Sequence, residues 1–232
     1  MFKHTLALIG LSALTLSANA ALYDRGNGLI YDDTKDITWL LDANYAKTSG
    51  YTVSGARGGV HSNSDNIQAD GQMGWDAAMA WAAQLEYGGF DDWRLPSAGN
   101  TPTAGYNVTT GELGLMFYVY LSNLGEEDVN GDLRESGFGI TSSSFNDSVS
   151  GSSMSILNLK NYAYWLREEN ADNAWFFSTQ AGSQQLASAK RFSFYSWAVR
   201  TGDVTPPVPV PAAVWLSSTA LLSLVGAKRR YR

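Results

Sequence analysis

The amino-acid sequence predicts an α+β domain in which helices accompany an antiparallel β-sheet. Short stretches rich in aromatic and β-branched residues, separated by polar turns, occur at both ends of the central region. Between them, two stretches repeat apolar residues at the helical spacing of three or four positions. This order of strands, helices and strands is typical of α+β proteins and differs from alternating βαβ units.

The predicted strands are short. Residues 29–31 and 37–41 flank a tight polar turn and predict a first hairpin. Four later strands are predicted by their aromatic and β-branched content: Tyr164–Leu166, Ala174–Phe177, Lys190–Phe194 and Trp197–Arg200. Residues 47–73, rich in Gly, Ser, Asn and Thr, predict a loop.

Two helices are predicted between these strands. The first spans residues 74–87, and Gly88 with Gly89 predicts its end. The second begins at Thr109, which matches a capping box with Glu112 three positions later, and runs until Gly125.

The composition excludes several kinds of chemistry. The 232 residues are 16% charged and 12% aromatic, with eight Trp, so the chain can build a core, which argues against general disorder. There is no Cys, which excludes disulfides, thiol nucleophiles and thiolate zinc sites. Once a leader containing His4 is removed, His61 alone remains, which excludes sites that need several imidazoles.

The first 20 residues have the pattern of a secretory signal peptide. Lys3 supplies the positive charge, residues 5–16 form the apolar stretch, and Ala18-Asn19-Ala20 matches the small-x-small cleavage pattern. We therefore expect cleavage after Ala20, with a globular domain following at residues 21–204.

The last residues have a three-part pattern. Residues 205–211 form a Pro-rich linker. The uncharged apolar run 212–227 predicts a transmembrane helix, slightly short for a hydrocarbon core of about 30 Å. Residues 228–232 are mostly basic and are expected to stay on the cytoplasmic side.

Pro209-Val210-Pro211, the apolar run and Lys228-Arg229-Arg230 together resemble a PEP-CTERM sorting signal, in a variant with Val210 in place of Glu. The resemblance implies recognition by an exosortase, a membrane-embedded transpeptidase or protease. It also implies a Gram-negative bacterium that makes extracellular polysaccharide, as in a biofilm. The tail would anchor the protein transiently in the inner membrane before release toward the cell surface or extracellular matrix.

The body of the chain is acidic. All 22 acidic residues but only 11 of the 16 basic residues lie within residues 21–211, which gives that segment a formal net charge of −11. Because nucleic acids are polyanions, this charge argues against nucleic-acid binding.

Several motifs of the body follow one another in a recognisable order. Residues 28–40 hold the first hairpin, Trp75-Asp76-Ala77-Ala78 precedes Trp93-Arg94-Leu95-Pro96-Ser97, and Trp197-Ala198-Val199-Arg200 closes the series. This series resembles the Lcl C-terminal domain family. The resemblance implies a C-type-lectin-like or formylglycine-generating-enzyme-like fold, with two helices packed on a twisted antiparallel sheet. The chain departs at Leu166-Arg167-Glu168, where the family usually has Ser and Thr.

The signature residues of this resemblance are expected to be mainly structural, with a ligand site as the alternative. They are Trp39, Trp75, Trp93, Arg94, Leu95, Pro96, Trp165, Trp175 and Arg200. Trp93 and Leu95 flank Arg94 as apolar anchors, and Pro96 fixes the following turn. Both arginines are expected to pair with carboxylates or carbonyls.

One acidic stretch has the alternating spacing of calcium ligands. Asp128, Asn130 and Asp132 are candidate metal ligands. The stretch is no complete EF-hand loop, because Leu133 and Gly139 occupy the positions that need Gly and Glu. A weak calcium site and a solvated acidic loop are the two interpretations, and no other cofactor is indicated.

Three functions remain open at this point. The first is a non-catalytic exported protein whose lectin-like domain binds glycans or neighbouring proteins. The second is a secreted polysaccharide hydrolase using two carboxylates such as Asp91-Asp92 or Glu168-Glu169, which must converge in one cleft. The third is a permanently anchored inner-membrane protein with a periplasmic domain. The sequence has no convergent catalytic motif, so we expect a non-enzyme.

Overall fold

The computed structural model describes residues 21–50, 67–187 and 189–204. Strands outnumber helices, and this mixed architecture confirms the mixed class that the sequence predicts. The strands are β1 (Leu22–Gly26), β2 (Leu29–Asp32), β3 (Ile37–Leu40), β4 (Gly105–Tyr106), β5 (Ser144–Asn146), β6 (Ser153–Ser155), β7 (Ala163–Asn170), β8 (Asn173–Ser178), β9 (Ser183–Ala187) and β10 (Val199–Thr201). The helices are α1 (Tyr45–Thr48), α2 (Trp75–Gln84) and α3 (Glu112–Leu115), and α3 continues into a π-helical turn (Met116–Tyr120).

The first sheet brings the two ends of the described domain together. Its order is β1-β2-β3-β10, and each neighbouring pair is antiparallel. The predicted hairpin is formed by β2 and β3. Its turn is held by Asp32, whose Oδ1 accepts hydrogen bonds from the amides of Thr34 at 2.9 Å and Lys35 at 3.1 Å. A short acidic side chain commonly stabilises a turn in this way.

The later strands form a second sheet and a separate two-stranded ribbon. The second sheet has the order β4-β9-β8-β7, and β5 pairs with β6. Among the described residues, every strand pair within these sheets is antiparallel. Trp165 on β7 lies opposite Phe176 on β8, so the aromatic stretches of the sequence pair directly across the sheet.

Helix α2 lies where the sequence predicts a helix but ends earlier, at Gln84. Leu85 has an extended backbone with ψ 125°, so the helix does not reach the two glycines. Gly88 and Gly89 have φ values of 64° and 85° and form the turn that Tyr87 and Phe90 close with two mutual hydrogen bonds. The positive φ that glycine permits is therefore used in this turn and not at the helix end.

The second predicted helix is shorter than expected, and its capping box does not form. Gly111 precedes the first helical residue, and no side chain caps α3 in the described part of the chain. Glu112, predicted to cap the helix, instead directs its carboxylate to Arg94 and to the Ser97 amide. Hydrogen bonds between a carboxylate and a guanidinium are stronger than a hydrogen bond to a neutral amide at a helix end. The Glu112 carboxylate therefore pairs with Arg94 and does not cap the helix.

The prediction of a strand at Lys190–Phe194 is wrong. The segment forms a turn, and Phe194 makes an isolated antiparallel bridge to Met73. Its aromatic residues pack on the second sheet without joining it, since the ring of Phe194 lies 4.5 Å from that of Trp165 and 4.9 Å from that of Phe176. The aromatic content thus reflects packing and not strand pairing.

One contiguous core joins both larger sheets with α2 and α3. Trp39, Trp81, Trp165 and Trp197 are at most 1% exposed. The indole groups of Trp165 and Trp197 donate hydrogen bonds to backbone carbonyls at 2.8 and 2.6 Å, which lets these polar groups be buried.

Candidate binding cleft

The Trp-Arg-Leu-Pro block lies at the edge of the first sheet. Arg94 makes a bridge with Val199 through two backbone hydrogen bonds of 2.8 and 2.9 Å, so the block extends the sheet beyond β10. Trp93 and Leu95 are 3% and 0% exposed. Two buried apolar side chains therefore flank Arg94.

Arg94 holds the first of two carboxylates at this site, the buried side chain of Glu112. Its guanidinium donates to both oxygens of Glu112, at 2.9 Å from Nη1 to Oε2 and 2.8 Å from Nη2 to Oε1. The Ser97 amide donates to the same Oε2 at 2.7 Å. Parallel hydrogen bonds of this kind fix geometry as well as charge.

A second carboxylate reaches Ser97 from the strand β7. Glu168 Oε1 accepts from the Ser97 hydroxyl at 2.6 Å, and Oε2 accepts from the Ala98 amide at 2.6 Å. Arg167 donates from Nε to Glu168 Oε1 at 2.9 Å. Ser97 thus lies between two carboxylates that come from different elements of the fold.

An open cleft of about 590 Å³ lies over this network. Its walls carry mostly hydroxyl, amide and charged groups: Thr34, Lys35, Ser97, Gly99, Asn100, Thr101, Thr110, Glu112 and Arg167. Lys35 Nζ donates to the carbonyl of Thr110 at 2.9 Å, which links two walls of the cleft. We call this feature the polar cleft.

Two fully buried side chains, Asp32 and Gln184, form hydrogen bonds with the backbone of the segments that line the polar cleft. Asp32 accepts from the Thr34 and Lys35 amides and from the hydroxyl of Tyr120, and burial raises the pKa of Asp32 while these hydrogen bonds oppose the rise. On the other side, Gln184 on β9 donates from Nε2 to the carbonyls of Ala98 and Thr103, each at 3.0 Å. The polar cleft therefore rests on fixed backbone at both walls.

The groups that line the polar cleft suit recognition of a polar ligand. Hydroxyl, amide and ammonium groups offer donors and acceptors of the kind that sugar hydroxyls bind. The oxygens of Glu112 and Glu168 are already engaged by Arg94, Ser97, Ala98 and Arg167. The exposed groups of Asn100 and Thr101 are better placed to meet a ligand.

Comparison with known proteins identifies no relative. No family model, no curated protein and no solved structure matches the chain.

The other signature residues take structural positions. Trp39, Trp75 and Trp165 are buried, and Trp175 is half-buried. Arg200 pairs with Asp92 at 2.7 Å, and its guanidinium lies 4.0 Å from the centre of the Phe90 ring. Pro96 is buried next to Leu95 and accepts a backbone hydrogen bond from Arg167 at 2.9 Å.

The candidate calcium ligands lie in a hairpin turn. Asp128 Oδ1 accepts from the amides of Asn130 at 2.8 Å and Asp132 at 3.0 Å, and these hydrogen bonds lower the pKa of Asp128. Within the described residues, no group of three or more acidic or His side chains is placed to hold a metal ion. The alternating spacing thus has a structural use in closing the turn.

Other predicted features lie outside the described residues. These are the signal peptide, His61, the sorting motif Pro209-Val210-Pro211, the apolar run 212–227 and Lys228-Arg229-Arg230. Across residues 21–50, 67–187 and 189–204, no helix is both long enough and apolar enough to cross a membrane.

Sequence reasoning missed most of the polar cleft. Ser97 and Glu168 are 71 positions apart, and Asp32 and Tyr120 are 88 apart. Single Ser, Glu or Asp residues at such separations carry no periodic signal. One sequence feature pointed to this site: Arg167 and Glu168 replace the Ser and Thr that the resembled family usually has, and both residues take part in the cleft or its network.

Proposed function

We propose that the protein is an exported, exosortase-sorted component of the cell surface or extracellular matrix. Its head, residues 21–204, binds glycans or neighbouring proteins without catalysis, through the polar cleft. The observation that carries this proposal is the open cleft of about 590 Å³, lined by hydroxyl and amide groups on fixed backbone. The secretory leader and the PEP-CTERM-like tail support the export pathway.

A C-type-lectin-like arrangement of the head is part of the proposal. It is supported by the meeting of the first and last strands, β1 and β10, in one sheet. It is also supported by the second antiparallel sheet and by the helices between them in the chain. Fold-level analogy alone does not assign a ligand, so the binding proposal depends on the cleft itself.

One observation favours the hydrolase alternative, and another argues against it. Glu112 and Glu168 do converge, because both hydrogen-bond Ser97. A glycosidase, however, needs one carboxyl that can donate a proton and a second that faces the sugar. Each oxygen of both groups already accepts a hydrogen bond from the protein, which favours a structural role for the pair.

The binding proposal is tested by measuring glycan affinity of the mature protein on an array and in solution. Asn100→Ala removes an exposed amide from the cleft, and we expect it to weaken binding about tenfold, as loss of a hydrogen bond does. Asn146→Ala removes an exposed amide from β5 and serves as the matched control. Equal binding by both variants would assign the glycan to another surface, and a flat wild-type response would favour a purely structural role.

The export proposal is tested by intact mass and cell fractionation, with and without the exosortase. We expect the released form to lack residues 1–20 and the apolar run 212–227. Full-length protein in the inner membrane with the exosortase present would support permanent anchoring instead.

A further inference from the structure

A smaller cavity lies at the end of the first sheet where Leu29 pairs with Leu40, away from the turn between β2 and β3. Its volume is about 180 Å³. Three leucines, two tyrosines, one carboxylate and one glycine form its walls: Gly28, Leu40, Leu41, Asp42, Tyr45, Tyr87 and Leu157. We call this cavity the tyrosine pocket. Since cavities that take whole drug-sized ligands measure about 300 Å³ or more, this one suits a single small group.

Two tyrosine rings form adjoining walls of the tyrosine pocket. The ring centres of Tyr45 and Tyr87 lie 5.0 Å apart, and the ring planes meet at 78°. The Tyr87 hydroxyl donates to the carbonyl of Asn27 at 2.7 Å, and the Tyr87 ring packs edge-on against Trp93 with 6.2 Å between centres. A Cβ at Gly28 would lie 2.5 Å from the same hydroxyl, so the lack of a side chain there lets the ring lie against the backbone. The corner between the two rings is therefore held by contacts within the protein.

Asp42 places a negative charge beside the two rings. Its Oδ1 accepts from the Asn44 amide at 2.8 Å. Its Oδ2 accepts from the Thr48 hydroxyl at 2.7 Å and from Nδ2 of Asn158 at 3.0 Å. These donors are all neutral, and within the described parts of the chain no Lys or Arg forms an ion pair with Asp42. The carboxylate is thus fixed in position while its charge has no cationic partner there.

The surroundings of the tyrosine pocket add to this negative potential. Burial raises the pKa of Tyr87, and Tyr45 and the charge of Asp42 raise it further, so the field of Asp42 reaches the neighbouring wall. An open groove that shares Tyr87 with the pocket carries Glu86 and Asp91, both exposed. Neither acid forms an ion pair within residues 21–50, 67–187 and 189–204. A cation is therefore attracted to this part of the surface.

The composition of the walls indicates which kind of cation fits. The face of an aromatic ring is negative and attracts an ammonium group within about 6 Å of the ring centre, and aromatic cages recognise quaternary ammonium ligands in this way. A primary ammonium needs hydrogen-bond acceptors when it leaves water. Asp42 already uses three of its roughly four acceptor sites, and three of the other walls are leucines. The pocket therefore suits a methylated ammonium group better than a primary one.

We propose that the tyrosine pocket binds a methylated ammonium group, such as that of a choline compound. Tyr45 and Tyr87 supply the ring faces, and Asp42 supplies the opposite charge. Leu157 is 49% exposed and lies at the opening, so a longer ligand can extend from the pocket into solvent. The lining residues differ from those of the polar cleft, so this inference depends neither on glycan binding nor on export.

The test measures binding of choline to the full chain in a non-ionic detergent by titration calorimetry at constant ionic strength. We expect saturable binding in the millimolar range. Dimethylbutanol, the uncharged carbon analogue of choline, and ethanolamine, which lacks the methyl groups, should each bind at least tenfold more weakly. Equal binding of dimethylbutanol would show a merely apolar cavity, and equal binding of ethanolamine would show that charge alone is recognised. Either result, or a choline response without saturation, overturns the inference while glycan binding at the polar cleft stands.

The source of the ligand is distinguished by displacement of bound choline. Displacement by a short-chain phosphatidylcholine as well as by free phosphocholine would support the pocket as a site for lipid headgroups. Displacement by phosphocholine alone would support it as a site for soluble choline compounds. Displacement by neither would overturn the inference, because a methylated ammonium carried on a larger molecule must also enter the pocket.

Variants assign the binding to the tyrosine pocket. Tyr45→Leu keeps an apolar side chain but removes a ring face, and Asp42→Asn removes the charge at nearly constant shape, so each should weaken choline binding about tenfold. Tyr45→Phe keeps the ring and should bind as the wild type does. Tyr162→Leu is the matched control, because Tyr162 is 43% exposed and lies outside the pocket. Equal binding by Tyr45→Leu and Tyr162→Leu would overturn the inference. If Asp42→Asn does not fold, the comparison of choline with dimethylbutanol still tests the role of charge.

Discussion

The guanidinium of Arg94 and the carboxylate of Glu112 form a two-bond ion pair that ties the Trp-Arg-Leu-Pro block to the start of α3. The two side chains are 22% and 9% exposed, so water screens the pair only in part. The pair stands where the sequence predicts a capping box, and it fixes the backbone that forms one wall of the polar cleft.

Glu112→Gln keeps the shape of the side chain and removes its charge. We expect a loss of about 2 kcal/mol in the free energy of unfolding, because a charge-assisted pair is broken and Arg94 is left half-buried. The measurement is urea unfolding at neutral pH. Arg167→Gln is the control, since Arg167 is 45% exposed in its pair with Glu168 and should cost less than about 1 kcal/mol. Equal losses would show that burial does not strengthen the Arg94 pair.

Gly114 lies in α3 at a place where no side chain fits. A Cβ there would lie 1.9 Å from the carbonyl oxygen of Val108. In an ordinary helix, Gly→Ala stabilises by about 1 kcal/mol, but displacing this backbone costs more. We expect Gly114→Ala to lose about 2 kcal/mol in urea unfolding. Ala83→Gly, on the exposed side of α2, should lose about 1 kcal/mol from helix propensity alone. A more stable Gly114→Ala variant would contradict the close approach.

Asp147 gives the stability a defined dependence on acid pH. Hydrogen bonds from the hydroxyl and amide of Ser150, and from the Asp24 amide, lower the pKa of Asp147 to about 2. Its unfolded pKa is about 3.9, so its stabilising contribution is fully present above about pH 4 and is lost as the pH falls to about 2. We expect Asp147→Asn to lower the melting temperature at pH 6 and to flatten its decline between pH 4 and pH 2. Asp91→Asn, with the same change in charge on an exposed turn, should leave the slope unchanged.

Asp128 is expected to stabilise its hairpin independently of calcium. Its Oδ1 joins the amides of Asn130 and Asp132 across the turn. Asp128→Ala should therefore lower the melting temperature equally in calcium and in a chelator. Asp132→Ala, which removes the other acidic candidate, should have less effect. A wild-type melting temperature that rises with calcium, and ceases to rise in Asp132→Ala, would instead establish the calcium site.

Sequence patterns predicted those parts of the fold that depend on near neighbours. The hairpin of β2 and β3, helix α2 and the aromatic strands β7 and β8 all follow from local spacing and composition. The failures have tertiary causes. Glu112 bonds Arg94 and not the helix end, and Phe194 packs on the second sheet without joining it.

The polar cleft could not be predicted from the sequence, because it too depends on tertiary contacts. Thr34, Asn100, Thr110 and Arg167 come from four segments that are separate in the sequence and meet only in the folded chain. Asp32 and Gln184 support the walls from inside the core, where polar residues carry no periodic signal. The sequence did indicate Arg94 and a carboxylate or carbonyl partner for it, because a guanidinium between buried apolar residues needs a hydrogen-bond acceptor.

The amide nitrogen of Ala21 lies 3.1 Å from Oδ1 of Asp33, and the Asp33 amide donates back to the carbonyl of Ala21 at 3.3 Å. Cleavage after Ala20 would make that nitrogen the charged amino terminus of the mature chain. The same hydrogen bond would then become an ion pair that exists only after processing. Since Asp33 is exposed, the gain is about 0.5 kcal/mol.

Acetylating the amino terminus of the mature chain removes this charge without changing the fold. We expect acetylation to lower the free energy of unfolding by that amount at low salt, and by less in about 1 M salt, where exposed charges are screened. In Asp33→Asn, acetylation should have no effect, because the partner charge is gone. An equal loss in both backgrounds would mean that the amino terminus does not pair with Asp33, and that processing leaves this wall of the polar cleft unchanged.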